Sequence, residues 1–305
     1  MKVKVIIYSN LGKKGNLGNQ LFQIASTLSI AKQSNQDYGF PEWQYYNSFI
    51  NKLPSVPIKK EFNIIREVGF DYNELILPNG DYNLNGWFQS EKYFDRDNVK
   101  KQFEFKPELI ESVKVKYKNE LSKKHILISV RRGDFVNNPY YFQLDYKYYF
   151  LAITTQFSDW EERNLIFTSD DINYCKKHFS FLANAMFVEK TTAIEQLVLG
   201  SLCNDFVISN STFSWWLAWL GEKEDSKIIR PIQNFRGKFR IENDDKDYFP
   251  DRWVSFNPKR FKINPKFYVL VIKAEFLKLI ALFNFKINSF VIHGKKSIKK
   301  TLKKF

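Results

Sequence analysis

Between residues 125 and 230 the chain alternates short apolar runs with helix-like stretches, and nothing else in it constrains the fold as tightly. Apolar runs at 126–130, 164–168, 185–188, 206–209 and 227–230 read as strands. Helical patterns at 146–157, 172–178, 193–203 and 215–220 separate them. Thr192-Ala-Ile-Glu195 opens the third helix with a capping box, and Gly221 stops the fourth. Such alternation argues for a parallel sheet wrapped by helices. Arg131-Arg132-Gly133-Asp134, Ser169-Asp170-Asp171 and Asn210-Ser211-Thr212 each begin where a predicted strand ends. In open α/β sheets ligands bind outside the carboxyl ends of strands, so the three polar clusters point to one site.

The first 120 residues repeat the theme once. A strand at 3–8 leads through glycines 12, 15 and 18 into an amphipathic helix at 21–32, with Leu21, Ile24, Ala25, Leu28 and Ala31 on one face. Free N–H groups and the helix dipole make such a turn an anion site. The glycine spacing does not fit a dinucleotide fingerprint, and Asp37 follows a polar stretch rather than a buried strand. The stretch 38–97 is aromatic and less regular. The chain therefore reads as two α/β domains facing a cleft, 1–121 and 122–258, followed by a basic tail, 259–305.

The net charge of +14 suggests nucleic acid until it is located. Residues 259–305 hold 13 Lys and Arg against the single acid Glu275, whereas the first 258 residues hold 34 basic and 32 acidic side chains. A nearly neutral body argues against a nucleic-acid enzyme. Cys175 and Cys203 form neither a disulfide framework nor a metal-ligand pattern, which suits a reduced, cytoplasmic setting. No signal-like start and no run of 18 uncharged apolar residues is present in the sequence.

Among the clusters, the adjacent arginines 131 and 132 match phosphate oxygens bidentately, and Asp134 is placed to hold one of them. Asp170 and Asp171 could bind a metal with a diphosphate, meet a base edge, or cap the next helix. The hydroxyls of Ser211 and Thr212 at a helix start suit a phosphate. Trp215, Trp216 and Trp219 read as helix packing rather than sugar stacking.

Five motifs then carry a resemblance. Gly15-Asn-Leu-Gly-Asn-Gln-Leu-Phe-Gln23, Gly86-Trp-Phe-Gln-Ser-Glu-Lys-Tyr-Phe94, Val130-Arg-Arg-Gly-Asp-Phe135, Phe167-Thr-Ser-Asp-Asp171 and Asn210-Ser-Thr-Phe-Ser-Trp-Trp216 resemble those of bacterial α-1,2-fucosyltransferases, glycosyltransferase family 11, in order and spacing across residues 1–255. The resemblance implies a GT-B-type fold of two Rossmann-like domains, a GDP-L-fucose donor, a glycan acceptor, inversion, and neither cofactor nor metal. It assigns the diphosphate to Arg131 and Arg132, the guanine edge to Asp170, the phosphates to Ser211 and Thr212, and the fucose surroundings to Asn19. Gly18, Ser129, Asp134 and Asn210 join the donor set. Three positions depart from the pattern: Ser129 stands where the family usually has His, Leu217 where it has a small glycine, and Pro231-Ile-Gln-Asn-Phe235 lacks an expected Trp. No carboxylate stands out as the base.

The tail is apolar at 267–285 and closes on lysine pairs at 295–296, 299–300 and 303–304, which suits an anionic membrane at the inner face of the cell membrane. Two other readings stand beside the α-1,2 transferase. One is fucosyl transfer in another linkage, such as α-1,6; the other is a non-catalytic basic protein that binds membrane or nucleotide.

Overall fold

The computed structural model describes residues 4–56, 61–280, 282–284 and 287. The chain divides into two compact units, Met1–Pro258 and Lys259–Phe305. The closing lysine pairs at 295–304 lie outside the described residues.

The first unit holds two parallel sheets. Four strands build the N-terminal one: β1 (Val5–Ile7), β2 (Asp37–Gly39), β3 (Asn63–Arg66) and β4 (Tyr82–Asn85), in the order β2-β1-β4-β3. Helix α1 (Leu17–Gln33) crosses from β1 to β2, and α2 (Arg96–Gln102) and α3 (Pro107–Lys116) lead out of it. The second sheet alternates β5 (His125–Val130), α4 (Tyr146–Gln156), β6 (Asn164–Ser169), α5 (Ile172–Phe179), β7 (Ala185–Phe187), α6 (Ala193–Leu202), β8 (Asp205–Ile208), α7 (Thr212–Gly221), β9 (Ile228–Pro231), α8 (Gly237–Glu242) and β10 (Val254–Phe256). Its order is β10-β9-β8-β5-β6-β7. Counted within that sheet, this is the 3-2-1-4-5-6 order of a doubly wound nucleotide-binding fold, with the switch point between β5 and β8. Ile126–Val130 of β5 are buried without a break, as a strand covered on both faces requires.

Most boundaries move by one or two residues from the sequence reading, but two differences have clear causes. Helix α7 begins at Thr212 rather than 215 because the Ser211 hydroxyl caps it, accepting from Phe213 N at 3.2 Å. The irregular middle holds β2, β3 and β4, which are only three or four residues long. Ile64 of edge strand β3 is 55% exposed, so the run carries no inside–outside alternation to read.

The core forms where α1 meets α7. Trp215, Trp216 and Trp219 are fully buried, and the Phe22 ring sits 4.5 Å from Trp215 and 5.0 Å from Trp216. The three tryptophans are packing, as the sequence suggested. Leu217 is admitted by Gly200 of α6, where any Cβ would stand 2.8 Å from Leu217 Cγ.

Candidate active site

A cleft of about 810 Å³ opens at the carboxyl edges of both sheets, within the range that holds a nucleotide-sized ligand. One wall is the turn after β1. Gly12 and Gly15 take φ of +80° and +76°, which the left-handed region allows to glycine. Two buried glutamines pin the turn: Gln20 Nε2 donates to Gly15 O at 2.8 Å, and Gln23 Nε2 to Lys14 O at 3.1 Å. Gly18 lies so close to α7 that a Cβ would meet Phe213 N at 2.5 Å and the Thr212 carbonyl carbon at 2.6 Å. Its glycine therefore serves helix contact and brings the N-termini of α1 and α7 together at the cleft. Both helix starts, with Ala193 at the start of α6, line it. Their dipoles give the floor positive potential.

Arg131 follows β5 at the switch point and lines the cleft. Its terminal nitrogen donates to Asp134 at 3.3 Å, and its Nε lies 3.2 Å from Asp170 Oδ2, an ion pair outside hydrogen-bond geometry. Asp170 also accepts from Arg132 N at 2.9 Å. Its first duty in the fold is thus to hold the arginines. Asp171 caps α5, accepting from Tyr174 N, and pairs with Arg132 Nε at 3.2 Å. Of the three readings of the acid pair, capping holds for Asp171.

Arg132 does not line the cleft. Its guanidinium lies 3.8 Å over the Tyr174 ring, which meets His178 at a tilt (4.2 Å), and His178 stacks on Tyr146 (5.4 Å). The charge of Arg132 is met by Asp171 and by the Tyr174 ring, whereas Arg131 is the arginine among the residues that line the cleft. Burial, then the nearby charges of Arg132 and Lys177, holds His178 down at about 4.

The remaining predicted residues converge on the same cleft, though several face inward. Ser129 Oγ is shared with Ser214 Oγ at 2.7 Å, which is shared in turn with Ser209 at 2.8 Å. Asn210 Nδ2 donates to Asn234 O and Phe142 O, fixing the loops beside the cleft. Ser211 is the α7 cap, and Thr212 lines the cleft on its first turn. Asn19 Oδ1 accepts from Gln89 Nε2 at 2.9 Å.

Gln89 and Trp87 line the cleft beside the glycine turn, with Gln44 and Tyr45; the sequence reading makes no mention of Gln44 and Tyr45, and quotes Trp87 and Gln89 within a motif without giving them a role. Phe88 between them takes φ of +51°, a conformation bulky residues avoid. Half-buried Glu67 fixes it, its carboxylate accepting from the N–H groups of Trp87 and Phe88. The signal was present in Gly86-Trp-Phe-Gln, a glycine followed by two aromatic rings. Asp134 and Asp170 are the acids among the described lining residues, both beside Arg131. Among the described residues no group of three or more His, Cys, Asp or Glu could hold a metal ion.

Comparison with known proteins bears on the same region. The model of glycosyl transferase family 11 matches residues 46–257. The α-1,2-colitosyltransferase of Escherichia coli is 26% identical over 288 residues, covering 79% of this chain and 96% of its own. The galactoside 2-α-L-fucosyltransferase of Caenorhabditis elegans is 24% identical, covering 81% and 78%. Arabidopsis thaliana FUT1, solved with GDP, shares the fold with a TM-score of 0.52 at 12% identity, covering 86% of this chain and 78% of that one.

Proposed function

The chain belongs to glycosyl transferase family 11, and on that premise we propose that its cleft moves L-fucose from GDP-fucose to a glycan hydroxyl, in α-1,2 linkage and with inversion. The observation that carries this reading is Arg131 at the β5–β8 switch point, beside the starts of α1 and α7. Breaking the sugar–phosphate bond leaves negative charge on the departing GDP. A fixed guanidinium and two helix dipoles stabilise that charge where it develops. The acceptor hydroxyl attacks from the opposite face, oriented by Asn19, Gln89 and the rings of Tyr45 and Trp87. That wall carries no carboxylate among its described residues, so the reading names no base and assigns the rate to charge stabilisation. The names of two relatives, each specifying position 2, support the linkage.

No metal or cofactor takes part in this reading. Asp170 and Asp171 are engaged by the arginines and a helix cap, so chelation leaves the rate unchanged. Peripheral contact of 259–305 with an anionic membrane, at the cytoplasmic face, is the partner part of the same reading.

A transfer screen of the full chain over GDP-sugars and a glycan array tests it. Arg131→Ala should lower kcat by about a hundredfold or more and weaken GDP binding. Arg132→Ala should lower stability more than it lowers GDP affinity. A folded Arg131→Ala protein with near-native activity would sink the assignment.

A further inference from the structure

The second unit is helical over 268–280. Val269, Ile272, Phe276 and Leu279 are 78, 69, 62 and 63% exposed, and Phe283 beyond them is 65% exposed. Ile280 and Ile287 are exposed as well. On a helix of 3.6 residues per turn Val269, Ile272, Phe276, Leu279 and Ile280 fall within an arc of about 100°, which exposed Tyr268 widens to about 120°, the width of a face that ordinarily packs against something. Ala274, on the opposite side, is buried. No described helix is long and apolar enough to cross a membrane.

We propose that this stripe lies in the interface of an anionic lipid bilayer, with its apolar side chains at the acyl boundary and the lysines of the tail on the headgroups. The inference deepens the partner part of the function proposed above, and rests on it, by naming the face that docks. Charge selects the occupant. Residues 259–305 carry 13 basic side chains and one acid, and the last eleven include six lysines. A second copy on the stripe would bring two such tails together and raise repulsion, whereas an anionic surface neutralises both. An apolar face joined to a polybasic segment also supplies the two signals that stable peripheral anchoring needs.

The test is sedimentation of the full chain with vesicles of phosphatidylglycerol and phosphatidylethanolamine, and with phosphatidylcholine alone. GDP binding serves as the folding control, since no stripe residue belongs to the cleft. Binding should be at least tenfold tighter to the anionic vesicles and weaken in high salt. Ile272→Glu with Phe276→Glu should reduce it at least tenfold with GDP binding intact. Reversal of Lys295, Lys296, Lys299 and Lys300 to Glu should do the same.

Stripe variants that bind vesicles like the native chain would overturn the docking face while leaving tail contact standing. Native protein that binds no vesicle would overturn both. Self-association that disappears in the stripe variants, without vesicle binding, would assign the face to a second copy instead. None of these results touches the transferase chemistry, which the GDP-sugar screen reads separately.

Discussion

Arg131 and Arg132 are neighbours in the chain with the same chemistry, yet their surroundings give them different work. Arg131 leaves the end of β5 into the cleft, while Arg132 turns to Asp171 and the Tyr174 ring. The cluster of Arg132, Tyr174, His178 and Tyr146 has a consequence for pH. His178, held at about 4 against an ordinary 6.5, is neutral in the folded protein where the unfolded chain would be protonated. The folded state then binds fewer protons between those values, so stability is full above pH 6.5 and falls as pH drops toward 4. Each unit is worth about 1.4 kcal/mol, so urea unfolding should show a loss of about 2 kcal/mol from this group between pH 7 and pH 5. His178→Phe should flatten that difference. An unchanged pH slope in the variant would mean the imidazole is solvated.

Among elements, the contact of α1 with α7 decides where the cleft floor lies. Gly18→Ala would place a methyl group 2.5 Å from the backbone nitrogen of Phe213, an atom that no side-chain rotation can move aside. Overpacking of this kind costs about 1–3 kcal/mol. Because the two helix starts would separate, GDP affinity should fall along with thermal stability. Gly12→Ala is the control. Its Cβ meets nothing within 4 Å, so the φ of +80° leaves only a backbone penalty of about 1 kcal/mol. If both variants bind GDP as the native protein does, helix approach is not what shapes the anion floor.

Across the whole first unit, an ion network joins the halves on either side of the cleft. Buried Glu222 accepts from Arg252 Nε at 2.7 Å, Arg96 at 2.9 Å and Trp253 Nε1 at 3.1 Å. Arg252 also grips Glu91, which accepts from Trp219 Nε1 at 3.1 Å. Residues 91 and 96 follow the first sheet, whereas 219–253 belong to the second, so the network ties sheet to sheet. Glu222→Gln leaves the arginines without their shared charge. Because Arg252 is partly exposed, the cost should be about 2 kcal/mol in urea unfolding. A loss under about 0.5 kcal/mol would mean that the aromatic core alone holds the halves together.

The amino-acid sequence alone determined the alternation of strands and helices after residue 125, the gathering of three polar clusters at one sheet edge, and the segregation of charge into the tail. Each is written in local pattern: apolar period, turn chemistry and a count of lysines. The family resemblance drawn from five motifs agrees with the match over 46–257. Tertiary structure alone decided which arginine faces the cleft, because a side chain's direction depends on partners such as Asp171 and Tyr174, 39 and 42 positions away. It alone placed Gln89 and Trp87 in the cleft beside the glycine turn, held by Glu67 from a neighbouring strand's end. It also turned Asp170 from a free acid into the brace of Arg131 and Arg132. Long-range pairing leaves no period in the chain, so these assignments could be read only once the sheets had brought their carboxyl edges together.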